Sequence, residues 1–268
     1  AFLSVPDFEQ SEEFLVFATS SGRIKRSSLA DYRNVHRGGI IAVHLNDDDR
    51  LVGVIRTSGE DDVLLATAGG MAIRFAETDA RPMGRNAAGV RGIDLRDDDE
   101  VVGLVRCGEG ADPDLLTVTE RGYGKRTDLA EYLVQSEDGS FRRQSRGGKG
   151  RIDIRTTGRN GRVAAVRSVS DRDGLMLVSE RGMLVRIAVS SISRIGRATQ
   201  GVRLVGLKEG DRLIGVATVA ESDGDEIESD AIPALPEPVT TAGSDSTAPS
   251  GGADRPEASA DGRPGTES

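Results

Sequence analysis

Leu15-Val16-Phe17-Ala18-Thr19-Ser20-Ser21-Gly22-Arg23-Ile24-Lys25-Arg26 returns three more times along the chain, as Val63 to Arg74, Leu115 to Arg126 and Leu175 to Arg186. In register, Gly22, Gly70, Gly122 and Gly182 coincide. Three residues before them stand Thr19, Thr67, Thr119 and Ser179, and four after them Arg26, Arg74, Arg126 and Arg186. A second glycine follows in each copy (Gly39, Gly89, Gly150, Gly201), and a third small residue after that (Gly53, Gly103, Ala164, Gly215). The apolar runs are short, rich in Val, Ile, Leu and Thr, and bounded by Gly and Asp, which marks strands rather than helices. Each copy reads as strand, Gly turn, strand, polar loop, strand, acidic turn, strand. Four strands at a period of roughly 50 residues is the arithmetic of a propeller-like blade. Such units bury their faces only against their neighbours, so they must stack.

The repeats are expected at about 14–62, 63–112, 113–173 and 174–220, with equivalent strands near 14–19, 63–67, 115–119 and 175–179. Short helical turns are expected around Ser28–Tyr32 and Asp128–Leu133. From residue 221 to 268 the pattern stops. Pro, Gly, Ser, Ala and acids fill that stretch, whose burial cannot offset the entropy of ordering, so it reads as a disordered tail.

Of 268 residues, 44 are acidic and 35 are Lys or Arg, for a net charge of −9. The tail holds 12 acids and 2 bases, which leaves the first 220 residues at +1. A near-neutral body still binds nucleic acid if its cations gather on one surface. Two roles stay open for such a tethered polyanion: it competes with nucleic acid for those cations, or it serves solubility alone. Cys107 is the only cysteine, so no intrachain disulfide or cysteine zinc site forms. No apolar run approaches the roughly 18 residues of a membrane span. The chain is expected in the cytoplasm with no membrane partner, and its start at Ala1 is expected of a piece of a longer protein.

With no Trp, the chain departs from WD-type and sialidase-type blades. Gly122-Tyr123-Gly124-Lys125-Arg126-Thr127, Met83 to Gly92, Ile195 to Val202, and Leu51-Val52-Gly53-Val54 with Thr57 to Asp61 instead resemble the C-terminal region of the DNA gyrase A subunit. The resemblance runs from about Phe2 to Ala220. It implies an all-β, propeller-like β-pinwheel with strands exchanged between blades. The present chain would supply four four-stranded antiparallel blades of a six-bladed assembly. It further implies a non-catalytic module that binds and bends double-stranded DNA. That module would work beside the remainder of the gyrase A subunit, with the gyrase B subunit completing a heterotetramer that introduces negative supercoils at the chromosome. ATP and Mg²⁺ would belong to the whole enzyme, with no cofactor on this stretch. The family's nucleophilic tyrosine lies in another domain, and Tyr32, Tyr123 and Tyr132 lack its context. Gln144-Ser145-Arg146-Gly147-Gly148-Lys149-Gly150 is similar to the family's Gln-Arg-Arg-Gly-Gly-Arg/Lys-Gly box, with Ser145 in place of an Arg. It stands in the third repeat here, whereas the family's box belongs to a first blade expected upstream.

The most basic stretch is Arg142 to Arg162, with Arg142, Arg143, Arg146, Lys149, Arg151, Arg155, Arg159 and Arg162 against Asp153 alone. Its glycines can expose backbone N–H groups to a phosphate, and its cations release counterions on contact. Read from residues alone, it is a phosphate-binding loop or an ordinary solvated one. Equivalent loops carry Arg33 and Arg37, then Arg81, Arg85 and Arg91, then Arg194, Arg197 and Arg203. Arg26, Arg74, Arg126 and Arg186 suit either DNA contact or bonds between blades. Asp47-Asp48-Asp49 and Asp97-Asp98-Asp99 suggest a cation at first sight. Their spacing does not fit a calcium loop, and a hairpin turn is expected. His36 stands beside Arg37, where it is expected to touch phosphate, and His44 reads as an ordinary strand residue. Few aromatics argue against single-strand binding. Two alternatives stay open: the related C-terminal region of the topoisomerase IV A subunit, and a propeller that serves as a protein-interaction scaffold.

Overall fold

A computed structural model describes Leu3, Val5, residues 12–96 and residues 98–219. The expected tail, 221–268, lies outside these residues, as does Asp97. The first repeat forms β1 (Phe14–Thr19), β2 (Arg23–Ser28) and β3 (Leu51–Thr57). The second forms β4 (Asp62–Thr67), β5 (Met71–Ala76), β6 (Val90–Arg91) and β7 (Val101–Cys107). The third forms β8 (Asp114–Thr119), β9 (Tyr123–Asp128), the small hairpin β10 (Val134–Gln135) and β11 (Phe141–Arg142), β12 (Arg151–Ile152) and β13 (Val163–Val169). The fourth forms β14 (Gly174–Ser179), β15 (Leu184–Ala188), β16 (Val202–Arg203) and β17 (Leu213–Val219). Single 3-10 turns at Leu29–Tyr32 and Leu129–Tyr132 fall where expected. Two more, at Glu77–Asp79 and Val189–Ser191, complete the series.

The sheets are antiparallel, in the orders β3-β1-β2-β6, β7-β4-β5-β12, β13-β8-β9-β16 and β17-β14-β15. The fourth strand of each complete blade therefore comes from the following repeat. Among the described residues no repeat follows the fourth, and its blade has three strands. The exchanged strands are held at the Gly turns. Gly22, Gly70 and Gly122 lie at φ +79°, +84° and +78°, and each amide bonds back to the carbonyl of the Thr three residues earlier at 3.0 Å. The carbonyl of each glycine then accepts two N–H groups of the next repeat. These come from Gly92 and Ile93, from Asp153 and Ile154, and from Leu204 and Val205. A Cβ on Gly70 would stand 2.2 Å from the Ile154 carbonyl oxygen, whereas one on Gly182 would meet nothing within 4 Å. The glycine register thus records where the next repeat docks.

The core lies between blades. Val16, Ala18 and Ile24 pack with Val63, Leu65, Ile73 and Phe75. Leu64, Ala66 and Ala72 pack with Leu115, Leu129 and Tyr132. Leu116 and Val118 pack with Leu175, Leu177 and Val189. Alternate residues of one strand serve the neighbours on either side, so both faces of β4 and β8 are buried. At the inner edge β3, β7, β13 and β17 pack side by side. A Cβ on Gly103 would lie 2.0 Å from Val166 Cγ2, which accounts for the glycine at that one position.

The recurrent strand arginines bolt the blades together. Arg26 pairs with Glu77 of the next repeat at 2.9 Å, and Glu77 is fully buried. Arg74 Nη1 donates to the Leu129 carbonyl at 2.8 Å, and Arg126 Nε to the Ile192 carbonyl at 2.9 Å. Of the two roles open to them, the geometry gives Arg26, Arg74 and Arg126 the inter-blade one. Two buried lysines add to this. Lys125 pairs with Asp153 at 3.0 Å, and that carboxylate also accepts the Tyr132 and Thr117 hydroxyls at 2.6 and 2.7 Å. Lys25, its counterpart, has no paired carboxylate among the described residues, since Ala42 stands where the third repeat has Asp153; it donates to the carbonyls of Ala42 and Arg85 and to the Tyr32 hydroxyl, and lies over the Phe17 ring. Burial, against the attraction of Asp31 and with the repulsion of Arg85, lowers the Lys25 ammonium to about 8.

Two outcomes follow from this packing. Gly70→Ala and Gly182→Ala both force a left-handed alanine, at about 1–2 kcal/mol. Only Gly70→Ala also collides with the next repeat, so chemical unfolding should show it losing at least about 1 kcal/mol more. The folded pKa of Lys25 lies below its unfolded value, so the unfolded chain binds more protons between about pH 8 and 10.5. Any stability advantage of Lys25→Met over wild type should shrink as pH rises through that window. A difference that stays flat in denaturant titrations at pH 7.5 and 9.5 would contradict it.

Candidate nucleic-acid interface

Residues 77–89, 129–150 and 189–201 carry the chain from one blade to the exchanged strand on the preceding blade. Each path is stitched down as it goes. Met83 N–H donates to the Arg26 carbonyl, Gln144 N–H to Arg74, and Ile195 N–H to Arg126. These segments end on the outermost strand of a sheet, so their loops form the rim of the array. An exchanged strand is two residues long, and its first residue turns inward while its second faces solvent. The outward residues are Arg91, Ile152 and Arg203, and the corresponding first-repeat position, Ile41, is also exposed.

That parity places Arg151 half-buried, with Nη1 donating to the Leu133 carbonyl at 2.5 Å, while Ile152 takes the rim position. Four more of the expected contact residues are engaged within the chain. Arg143 pairs with the buried Asp62 at 2.5 Å. Arg146 donates to the Asp79 and Arg91 carbonyls at 2.8 and 2.9 Å, and the Gly147 amide bonds to the Gly92 carbonyl. The box-like segment is therefore a strap across the second blade. Arg194 bridges Asp114 at 2.8 Å and Asp128 at 3.1 Å, and its hydrogen bond to Asp114 raises its pKa. Arg197 is half-buried, with Nε 3.9 Å from Glu131.

The other expected residues, Arg85 excepted, are exposed. Arg33, Arg37, Arg81, Arg142 and Lys149 are exposed and have no carboxylate partner among the described residues. Arg85 is half-buried and likewise has none, and Arg91 lies a loose 3.6 Å from Asp94. Arg203 Nη2 donates to the Tyr123 hydroxyl at 3.2 Å. Arg159, from the basic stretch, donates to the same hydroxyl at 3.3 Å. Tyr123 lacks a catalytic context in the sequence and is not among the expected contacts. The available signal was its place one residue after the Gly turn, where the exchanged strand pairs. His36 and His44 are both exposed.

The acidic turns are structural. Asp49 accepts the Ser20 and Ser21 hydroxyls at 2.9 and 2.6 Å and the Ser21 amide at 2.9 Å. Burial opposes its ionisation, yet hydrogen bonds led by Ser21 hold its carboxyl down to about 2. Asp99 accepts the Gly69 amide at 2.7 Å and Asp211 the Ser179 hydroxyl at 2.7 Å. The left-handed residue of each turn is Asp48, Asp98 or Gly210, at φ +63°, +62° and +72°. These carboxylates close the neighbouring Gly turn, a local demand that explains their recurrence.

Comparison with known proteins agrees with this architecture. The family model of the DNA gyrase C-terminal domain, a β-propeller, matches residues 13–58, 61–107, 113–170 and 175–220, one segment per blade. The DNA gyrase A subunit of Staphylococcus epidermidis is 42% identical over 221 residues, covering 82% of this chain and 24% of that protein. The Staphylococcus aureus protein of the same name is 40% identical over 228 residues, covering 85% and 25%. The chain thus spans about a quarter of the length of these relatives. Among solved structures, the C-terminal domain of a DNA topoisomerase IV aligns with a TM-score of 0.72 at 25% identity, covering 81% of this chain and 65% of that one. A DNA gyrase A C-terminal domain aligns at 0.67 and 27%, covering 80% and 68%. With every blade matched, the chain belongs to the DNA gyrase C-terminal domain family.

Proposed function

We propose that this chain binds and wraps duplex DNA as a module of the gyrase A subunit. The observation that carries the reading is the set of exposed cations without carboxylate partners on the rim loops. It comprises Arg33 and Arg37 in the first repeat, Arg81 in the second, and Arg142 and Lys149 in the third. A solvated basic loop in isolation would say little. The recurrence of such loops at the same place in successive blades gives a backbone-following track, with sequence left unread. The chemistry is assigned to the rest of the longer protein. There the remainder of the gyrase A subunit would join the gyrase B subunit in a heterotetramer that uses ATP and Mg²⁺ to supercoil DNA in the cytoplasm. The relatives named as DNA gyrase A subunits, at 40–42% identity, favour this over the topoisomerase IV reading.

Affinity for duplex DNA should fall steeply with salt and differ little between unrelated sequences. Alanine at Arg37, Arg81, Arg142 or Lys149 should lower the slope of log K against log salt by about 0.9 for each phosphate no longer neutralised, with thermal stability unchanged. Arg194→Ala should instead lower the melting temperature, because it strips the buried Asp114 of a partner. Binding indifferent to salt would favour a protein-interaction scaffold.

A further inference from the structure

Tyr123, Arg159 and Arg203 meet at the outer edge of the third blade. Tyr123 opens β9, directly across the sheet from Arg203 on β16 of the fourth repeat. Arg159 arrives on the turn that precedes β13. Asn160, fully buried, holds that turn: its Oδ1 accepts the Thr157 amide at 2.8 Å, and its Nδ2 donates to the Arg155 and Gln200 carbonyls at 3.0 and 3.1 Å. The guanidinium carbons lie 5.0 and 5.6 Å from the centre of the Tyr123 ring. Neither arginine has a carboxylate partner among the described residues, unlike Arg194 on the same blade.

We propose that this trio is a subsite for one phosphodiester group of duplex DNA. The proposal rests on the reading of the chain as a DNA-binding module and assigns Tyr123 and Arg159 to it. Two guanidiniums converge on one neutral phenol oxygen, a weak acceptor for two full charges. Each keeps further N–H groups, and guanidinium geometry suits a phosphate's paired oxygens. Because the phenol oxygen accepts from both arginines, its own proton is left to donate to an anion. Tyr123 is only 6% exposed as a residue, so its ring face is not open as a platform for an unpaired base. That excludes the single-strand mode and leaves the backbone as the ligand. The trio is not repeated around the rim. Met71 faces Ile152 at the matching place in the second blade, and in the first Arg23 spends its donors on the Ala88 and Gly89 carbonyls. The hydrogen bonds from Arg159 and then Arg203 also lower the Tyr123 pKa, whereas those of Tyr32 and Tyr132 are raised by burial.

The test uses the whole chain and a mixed-sequence duplex. Arg159→Ala with Arg203→Ala should weaken binding roughly tenfold at low salt and lower the salt slope by about 0.9, the value for one phosphate. Tyr123→Phe keeps both charges, so it should weaken binding with the slope unchanged. A readout without DNA follows tyrosine ionisation by ultraviolet absorbance. Tyr123 should ionise first, and inorganic phosphate should raise its pKa in the wild type but not in the double variant. If wild type binds DNA in a salt-sensitive way, the double variant matches it and phosphate leaves the phenol unmoved, the subsite is overturned and the DNA-binding reading stands. Wild-type affinity that does not respond to salt overturns both. Tyr123→Phe binding as tightly as wild type removes the phenol from the site.

Discussion

Everything in this array hangs on one junction: a glycine carbonyl at a hairpin turn that takes two amides from the next repeat. An isolated blade would expose its outer strand as an unpaired edge, with donors and acceptors facing water or another chain. Here the next repeat covers that edge with only two residues of strand. So short a strand cannot hold itself by ladder bonds alone. Gly22, Gly70 and Gly122 extend the contact by a further pair of bonds, and only a residue without a Cβ lets the donor come so close. The stacked cores follow, because each exchanged segment brings Ile93, Ile154 or Val205 over the neighbouring sheet.

Charge is then distributed by position rather than by residue type. Arg26, Arg74 and Arg126, on the second strand of their hairpins, lie between blades, where they meet Glu77 or the carbonyls of Leu129 and Ile192 at the 3-10 turns. A buried guanidinium needs every one of those partners, since an uncompensated charge there costs several kcal/mol. Arginines a few residues further on lie over the rim, where water screens them and a partner is optional. Between these extremes stand Arg143, Arg146 and Arg194, exposed in part yet tied to buried acids or to backbone. They hold loops that present the unpaired cations.

The repeat, its strands and its stacking were legible because they rest on local rules: apolar alternation, a hydroxyl and a glycine at a tight turn. The four register glycines and the strands at 14–19 and 115–119 fall where the pattern placed them. The ownership of the outer strands is a different matter. Val90–Arg91 and its counterparts are too short to carry a periodic signal. Their partners lie about 65 to 80 residues away. The inward turn of Arg151 was hidden for that reason, since a shift of one residue along a strand exchanges its faces. Likewise, nothing near Arg143 in sequence announces Asp62, and nothing near Tyr123 announces Arg159. The acidic turns could be recognised as turns, but not as clamps on the adjoining hairpin.

On the proposed reading, rigidity at the rim has an energetic consequence. Bending 20–30 base pairs by tens of degrees takes on the order of 1–6 kcal/mol, and flexible side chains would add the entropy of their own ordering. Loops strapped to the preceding blade, and a guanidinium already aligned on Tyr123, lose less freedom on contact. A stiff array can therefore impose its curvature on DNA through a few modest phosphate contacts. A floppy one would need many more of them, or would follow the path of the straight duplex instead. The inter-blade arginines and the glycine junctions touch no ligand in this scheme. They set the spacing between contact loops, and that spacing is what a bent duplex would have to match.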